Sequence, residues 1–287
     1  MTPMDTLYGW AQGSAFVFAL LVGSFLNVCI ARMPEDRSVV HPPSHCPACG
    51  ARIRPWDNIP VVSWLLLRGR CRDCATPISS LYPTIELLTG LLGWLLFRRI
   101  VPGPAALDLP HLAAFGVYFA FVAMLVAQTF IDVKHYIIPD ELSIYAAPFG
   151  ILGCVGLGWL GYGDAPSWRS SVVGAAAGGG VLLAVMGLFY LVRRKEGMGL
   201  GDVKLLAMIG AFLGALPAVP FVLFTSALAG SLVGVPMALL QRRGLGTALP
   251  FGPFLALGAI AWLLHGPEWT ERLFPGLAWI VANGGAW

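Results

Sequence analysis

Trp10-Ala-Gln-Gly-Ser-Ala-Phe-Val-Phe-Ala-Leu-Leu-Val-Gly-Ser-Phe-Leu-Asn-Val-Cys-Ile30 is a run of 21 residues without a charged side chain. Roughly 20 apolar residues in a helix cross the hydrocarbon core of a bilayer, so this stretch is long enough to span. No Lys or Arg precedes it, Arg32 follows it, and it is longer than the apolar core of a signal peptide. It therefore reads as a permanent span. The rest of the chain has the same character. Of 287 residues, 57% are hydrophobic and 11% charged, against about 25% charged in an ordinary soluble domain. The charges are clumped, with apolar stretches of helix-spanning length between them. These figures exclude a soluble globular enzyme and predict an all-α polytopic membrane protein. The net charge of +3 gives no reason to expect a nucleic-acid partner, because the basic residues sit at membrane edges.

Eight candidate transmembrane helices are read, at about 10–31, 81–97, 112–131, 141–161, 170–192, 203–217, 219–240 and 249–265. Glycines at four-residue spacing (Gly174 and Gly178, Gly210 and Gly214, Gly230 and Gly234) predict close helix packing in a bundle. With the N-terminus outside, the inside loops hold 14 of the 18 Lys and Arg residues: Arg32, Arg37, Arg52, Arg54, Arg68, Arg70, Arg72, Lys134, Arg193, Arg194, Lys195, Lys204, Arg242 and Arg243. Arg98, Arg99, Arg169 and Arg272 remain outside. The bias places both termini outside. The expected layout is a first span at 1–32, a cytoplasmic segment at 33–80, a membrane bundle at 81–265 and an interfacial tail at 266–287. Trp269, Trp279 and Trp287 put that tail on the outer membrane surface.

The inside segment 33–80 is rich in Pro, Arg and Cys and too small for a strong core of its own. It carries Cys46-Pro-Ala-Cys49 and Cys71-Arg-Asp-Cys74. Two such pairs offer four thiolates to one tetrahedral ion, and a coreless segment gains folding energy from zinc. Two disulfides or free thiols are the alternatives, and a reducing inside location opposes disulfides. Four cysteines leave no open coordination position, so the expected zinc is structural. Cys29 and Cys154 lie in spans and read as packing residues.

Asp132 ends the third span and Asp202 opens the sixth, in Gly199-Leu200-Gly201-Asp202-Val203-Lys204. Carboxylates at membrane depth are costly and mark functional sites. Asp202 could equally be a helix N-cap. Asp132 sits near a helix C-terminus, where the macrodipole disfavours negative charge; its alternative is a solvated helix-end carboxylate beside Lys134. Asp140 reads as the cap of the fourth span. Two carboxylates brought together share a proton, so that one activates water and the other polarises a carbonyl. The helix-end positions assign the base role to Asp202 and the proton to Asp132. Gly199 and Gly201 permit a close backbone approach or a positive-φ turn beside Asp202.

These residues fall in a longer series. Gly23-Ser-Phe-Leu-Asn-Val28 and Arg32-Met-Pro34 come first. The cysteine pairs then enclose Asp57-Asn-Ile-Pro60 and Ser63-Trp64. Pro77-Ile-Ser79, Tyr82-Pro83-Thr-Ile-Glu86 and the Asp132 segment through Ile138-Pro139-Asp140 follow. The Gly199–Lys204 motif, Pro250-Phe-Gly-Pro253 and Leu255-Ala-Leu-Gly258 close the series. In this order, over nearly the whole chain, the sequence resembles the bacterial type IV prepilin peptidases, the leader peptidase/N-methyltransferases with a GxGD motif. The resemblance implies cleavage of the basic leader of prepilins and pseudopilins after a glycine, at the cytoplasmic side of the inner membrane, followed by methylation of the new N-terminus with S-adenosylmethionine. It implies that Asp132 and Asp202 are catalytic, that Gly199, Gly201 and Lys204 support them, and that Cys46, Cys49, Cys71 and Cys74 bind zinc.

For methyl transfer no glycine-rich methyltransferase fold is visible. Glu86, near the inside end of the second span, can attract a sulfonium or an N-terminal amine; a helix-start carboxylate stabilised by the dipole is the competing reading. Asn27 and Asp57 are weaker candidates near the same face. A proton-coupled transporter using the same acids, or a zinc-bearing membrane scaffold, are the rival functions. Against the transporter, the acids lie at one face of the membrane and no repeated half is detected.

Overall fold

The computed structural model describes residues 2–194, 199–240, 250–273, 275 and 276. Lys195, Arg242 and Arg243 of the inside charge set, and Trp279 and Trp287 of the tail, lie outside the described residues. Among the described residues the secondary structure is helical, apart from two isolated bridges in the cysteine-bearing segment. Five helical stretches are long and apolar enough to cross a membrane: Pro3–Glu35, Leu109–His135, Asp140–Trp159, Trp168–Val192 and Ala218–Met237. The chain divides into two compact units, Met1–Ala127 and Gln128–Trp287.

In the first unit, α1 (Pro3–Arg32) opens with a capping box. Asp5 accepts the Thr2 N–H at 2.7 Å, and Thr2 Oγ1 accepts the Asp5 N–H at 3.2 Å. The short α2 (Val62–Leu66) lies in the cysteine-bearing segment. Beyond that segment, α3 (Leu81–Ile100) returns antiparallel along α1. Gly23 lies against the Glu86 backbone, Gly90 against Leu20 and Phe16, and Gly93 against Ala19. At the far end the Tyr8 hydroxyl donates to the Val101 carbonyl at 2.7 Å. The two helices thus stay paired for about 15 residues, roughly 22 Å at the α-helical rise. Small residues let the backbones approach, as the sequence led one to expect of membrane helices. The next helix, α4 (Leu109–His135), begins here with Phe115 stacked on Phe119 and edge-on to Phe97.

The second unit holds the end of α4, then α5 (Ala147–Trp159), α6 (Trp168–Arg193), α7 (Leu200–Leu213), α8 (Ala218–Leu240) and α9 (Gly252–Leu273). The stretch anticipated as a span from residue 141 is not one helix from its start. A 3-10 turn, Asp140–Leu142, precedes α5, because Ser143 leaves helical geometry and its hydroxyl donates to the Pro139 carbonyl at 2.8 Å. Asp140 does not cap that turn: its N-cap is Pro139, and no side chain caps it.

The glycine spacing in α6 and α7 does what it was expected to do. Gly174 lies against the Gly210 carbonyl and Gly178 against the Leu206 carbonyl, backbone on backbone. The register is antiparallel and sets Leu182 level with Asp202. Gly214, at φ 81°, ends α7, and the Ala215 N–H that follows donates to Ser170 Oγ at 3.2 Å near the start of α6. A positive φ at a helix end is a place where glycine carries no Cβ penalty. From Val203 to Leu213 nearly every side chain of α7 is buried. Gly230 of the third glycine pair makes only ordinary contacts with Phe251 and Phe254.

Candidate active site and metal centre

Asp132 lies in the last turn of α4 and is 5% exposed. Its Oδ2 accepts the N–H of Gly252 at 3.1 Å. Gly252 is the first residue of α9, so the carboxylate stands at a helix C-terminus and a helix N-terminus at once. Sequence position alone reveals only the first of these. The free N–H groups of a helix start favour a negative group, and here one of them is aimed at Asp132. A Cβ on Gly252 would lie 2.6 Å from Asp132 Oδ2, so the approach requires glycine.

Asp202 is the third residue of α7 and 8% exposed. The N-cap of α7 is Gly199, and no side chain caps the helix. The N-cap reading of Asp202 is thereby removed, and no hydrogen bond to its carboxylate is found among the described residues. Ile138 fills the space beside both acids: its side chain lies 3.1 Å from where a Cβ on Gly201 would stand and 3.2 Å from one on Gly252. Gly201 therefore serves close packing. A Cβ on Gly199 would meet only the Gly201 N, at 3.9 Å, among the described residues, and φ is −77°, a conformation open to any residue.

Lys204 Nζ donates to Asp140 Oδ1 at 2.6 Å. The pair joins the start of α7 to the turn that follows α4. Gln128, one turn before Asp132, holds the same turn through Nε2, which donates to the Leu142 carbonyl at 2.6 Å. Its Oε1 is buried without a partner among the described residues.

The cysteine-bearing segment contains two matching turns offset by 25 residues. In the first, the Cys46 N–H donates to Ala51 O and the Gly50 N–H to Cys46 O. In the second, the Cys71 N–H donates to Thr76 O and the Ala75 N–H to Cys71 O. Gly50 and Ala75 both have positive φ, 71° and 55°. The four Sγ atoms lie within 4.8 Å of one another, and Cys46 and Cys74 within 3.8 Å. A tetrahedral zinc with Zn–S bonds of about 2.3 Å sets sulfur atoms about 3.8 Å apart. The donor set fits zinc and uses all four cysteines. The Cys49 and Ala48 N–H groups hold the Cys46 thiol below its ordinary range, and Thr76, by its hydroxyl first and its amide second, lowers Cys74 to about 6. Cys49 goes the other way: the Ala51 amide lowers it, but burial and the thiols of Cys74, Cys46 and Cys71 together push it up to about 12.

Arg72, inside the second turn, forks onto Asp57, with Nε 3.0 and 2.9 Å from the two carboxylate oxygens. Asp57, a candidate near the membrane face, is engaged there. Asn27 Nδ2 donates to the Tyr82 carbonyl at 3.2 Å. Glu86 Oε2 accepts the Val61 N–H at 2.7 Å. Glu86 is buried and supplies one negative group, but a single carboxylate does not build a cleft for an adenosyl cofactor. No methyl-transfer step is derived from it.

Residues 17–100 match the bacterial peptidase A24 N-terminal domain, and residues 119–235 match the type IV leader peptidase family. A prepilin leader peptidase/N-methyltransferase of Aeromonas hydrophila is 39% identical over 282 residues, covering 89% of this chain and 91% of its own. That of Burkholderia pseudomallei strain 1026b is 39% identical over 283 residues, covering 90% and 86%. That of Pseudomonas aeruginosa is 36% identical over 283 residues, covering 89% and 90%. The chain belongs to the type IV leader peptidase family. No solved structure gives a significant match.

Within this family member, the structure adds Gly252 and Ile138 to the residues read from sequence. Pro250-Phe-Gly-Pro253 and Ile138-Pro139-Asp140 had marked the two places without assigning a role to either residue. The contact itself joins residues 120 positions apart, beyond any local pattern. Lys204 was expected beside the acids; the structure supplies its partner, Asp140.

Proposed function

We propose that this chain cleaves the basic leader of type IV prepilins and pseudopilins at the cytoplasmic face of the inner membrane, using Asp132 and Asp202, and then N-methylates the new N-terminus with S-adenosylmethionine. One observation carries the peptidase reading: the carboxylates of α4 and α7 are both buried, Gly201 beside Asp202 and Gly252 against Asp132 pack on the same Ile138 side chain, and Asp132 is pinned by an amide at the start of α9. The relatives' shared name supplies the substrate class and the second activity.

The geometry favours a division of labour opposite to that of the helix-end argument. Asp132, with Oδ2 fixed by the Gly252 amide, acts as the base that draws a proton from water. Asp202, at which no donor is aimed among the described residues, gives the shared proton to the scissile carbonyl oxygen; as the resulting gem-diol collapses, Asp132 passes the proton it took from water to the leaving amine and a gem-diol hydroxyl returns a proton to Asp202. The pair titrates as one unit. Gly201 and Ile138 set the spacing, and the Lys204–Asp140 pair fixes α7 to the turn after α4. Gly199 leaves open space for an extended peptide.

The wider layout is part of the proposal. Eight helices cross the inner membrane, both termini lie in the periplasm, and residues 33–80 form a cytoplasmic segment folded around a structural zinc. Residues 81–265 form the peptidase bundle, and 266–287 an outer interfacial tail. Glu86 is kept as the group that faces a methyl donor or a substrate amine.

Purified protein in lipid nanodiscs, mixed with a prepilin, tests the reading by mass spectrometry. Loss of the leader and a gain of one methyl on the product are expected. Asp132→Asn and Asp202→Asn should each abolish cleavage, with the double variant no worse than either, as for residues that act together. Full cleavage by both single variants would eliminate the pair. Glu86→Gln with normal methylation would remove Glu86 from the second step.

A further inference from the structure

We propose that residues 56–66 are an in-plane membrane anchor, seated in the phospholipid headgroup layer with their apolar side chains directed into the acyl boundary. This goes beyond the peptidase reading and depends only on the chain being membrane-embedded.

The segment exposes an unusual surface for a loop outside the spans. Trp56, Ile59, Val62, Leu65 and Leu66 are all exposed, Leu65 at 61% and Leu66 at 78%. Val62, Leu65 and Leu66 share one face of α2 by their i, i+3 and i+4 spacing, and exposed apolar surface of this kind marks a contact with another phase or another molecule. Three arginines border it. Arg52, Arg68 and Arg70 are exposed and have no carboxylate within ion-pair distance among the described residues. Apolar side chains flanked by free guanidinium groups and a tryptophan match the chemistry of a headgroup layer, where basic side chains meet phosphates and indoles are favoured.

The depth of the segment decides between lipid and water. Pro60, Val61 and Val62 form a γ-turn closed by a 2.6 Å hydrogen bond from the Val62 N–H to the Pro60 carbonyl. Val61 sits at φ 62°, ψ −50°, a rare and strained conformation for a β-branched residue. The turn persists because it directs the Val61 N–H onto Glu86. Ser63 fixes it from the other side, its hydroxyl donating to Trp56 O at 2.7 Å and accepting the Ile59 N–H at 3.1 Å.

Glu86 lies level with Gly23 of α1. The uncharged run of α1 continues seven residues past Gly23, to Ile30, or about 10 Å at the α-helical rise. The turn is therefore clamped alongside apolar helix rather than beyond its end. Side chains exposed at that level meet lipid when α1 spans the bilayer. Because the clamp is on α3, immediately next to α1, the segment has no free length with which to leave the membrane surface.

The test uses full-length protein in nanodiscs, with a ketone-bearing amino acid in place of Leu66 and a nitroxide coupled to it, so that the cysteines stay untouched. The same label at Ala48, an exposed position in the first cysteine turn, is the reference. At Leu66 the label should collide several-fold less with a water-soluble nickel complex, and more with membrane-dissolved oxygen, than at Ala48. Nickel access equal to that at Ala48 would overturn the proposal in favour of a solvated loop. Low access to both reagents would overturn it in favour of a protein partner. As a second reading, Arg68→Gln with Arg70→Gln should raise nickel access at Leu66 while leaving prepilin cleavage measurable; unchanged access would remove the arginines from the anchor.

Discussion

Gly252→Ala is the sharpest probe of the site. The added methyl would stand 2.6 Å from Asp132 Oδ2 and 3.2 Å from Ile138 Cδ1. The first distance is shorter than any stable carbon–oxygen contact, so either the carboxylate rotates away or the start of α9 retreats. Both movements break the 3.1 Å bond from the Gly252 N–H. Hydrogen bonds to charged groups contribute about 1.5–3 kcal/mol. If that energy is lost at the transition state, with one factor of ten for each ~1.4 kcal/mol, kcat/KM falls roughly 10- to 150-fold. The assay is leader removal from a purified prepilin, followed over time by mass spectrometry. Gly230→Ala is the control, because its Cβ would meet Phe251 and Phe254 at 3.6 Å, an ordinary contact, and it should cleave like the parent. Thermal unfolding of both variants separates a damaged site from a damaged fold. Parent-like cleavage by Gly252→Ala would refute the role given to the α9 amide.

Three other outcomes are expected. Lys204→Asp and Asp140→Lys should each lower cleavage by up to about fivefold, the range for a half-exposed pair, and the exchanged double variant should recover most of it; no recovery would mean that the pair does not position α7. Ala75→Gly should raise the melting temperature of the zinc-loaded protein, by up to about 1 kcal/mol of stability, because Ala75 holds the positive-φ place that Gly50 holds in the first cysteine turn. Removing the metal, by chelation or by Cys49→Ser, should expose the Cys46 and Cys71 amides to hydrogen exchange, since the two turns then lose their common centre; unchanged protection would show that the turns stand without it.

Much of this molecule was readable before its structure. The uncharged run of α1, the paired cysteines and the glycines of α6 and α7 each obey a local rule, and each occupies the place the rule assigned. Asp132 and Asp202 were legible as costly acids, and the structure buries both. Three features were not. Whether Asp202 caps its helix depends on which residue takes the N-cap, and Gly199 took it. The electrostatics of Asp132 depend on a second helix that begins 120 residues downstream. Val61 holds a conformation that local preference opposes, stabilised by a carboxylate 25 residues away. In each case a tertiary contact overrides a local tendency.

The antiparallel register of α6 and α7 has a consequence for substrate length. Leu182 is level with Asp202, and α6 continues to Arg193, so α6 outruns the acid by about 16 Å at the α-helical rise. An extended peptide covers that distance in about five residues, at about 3.3 Å each. If the leader approaches Asp202 along this stretch of α6, prepilins with leaders trimmed below that length should be cut more slowly than the full substrate.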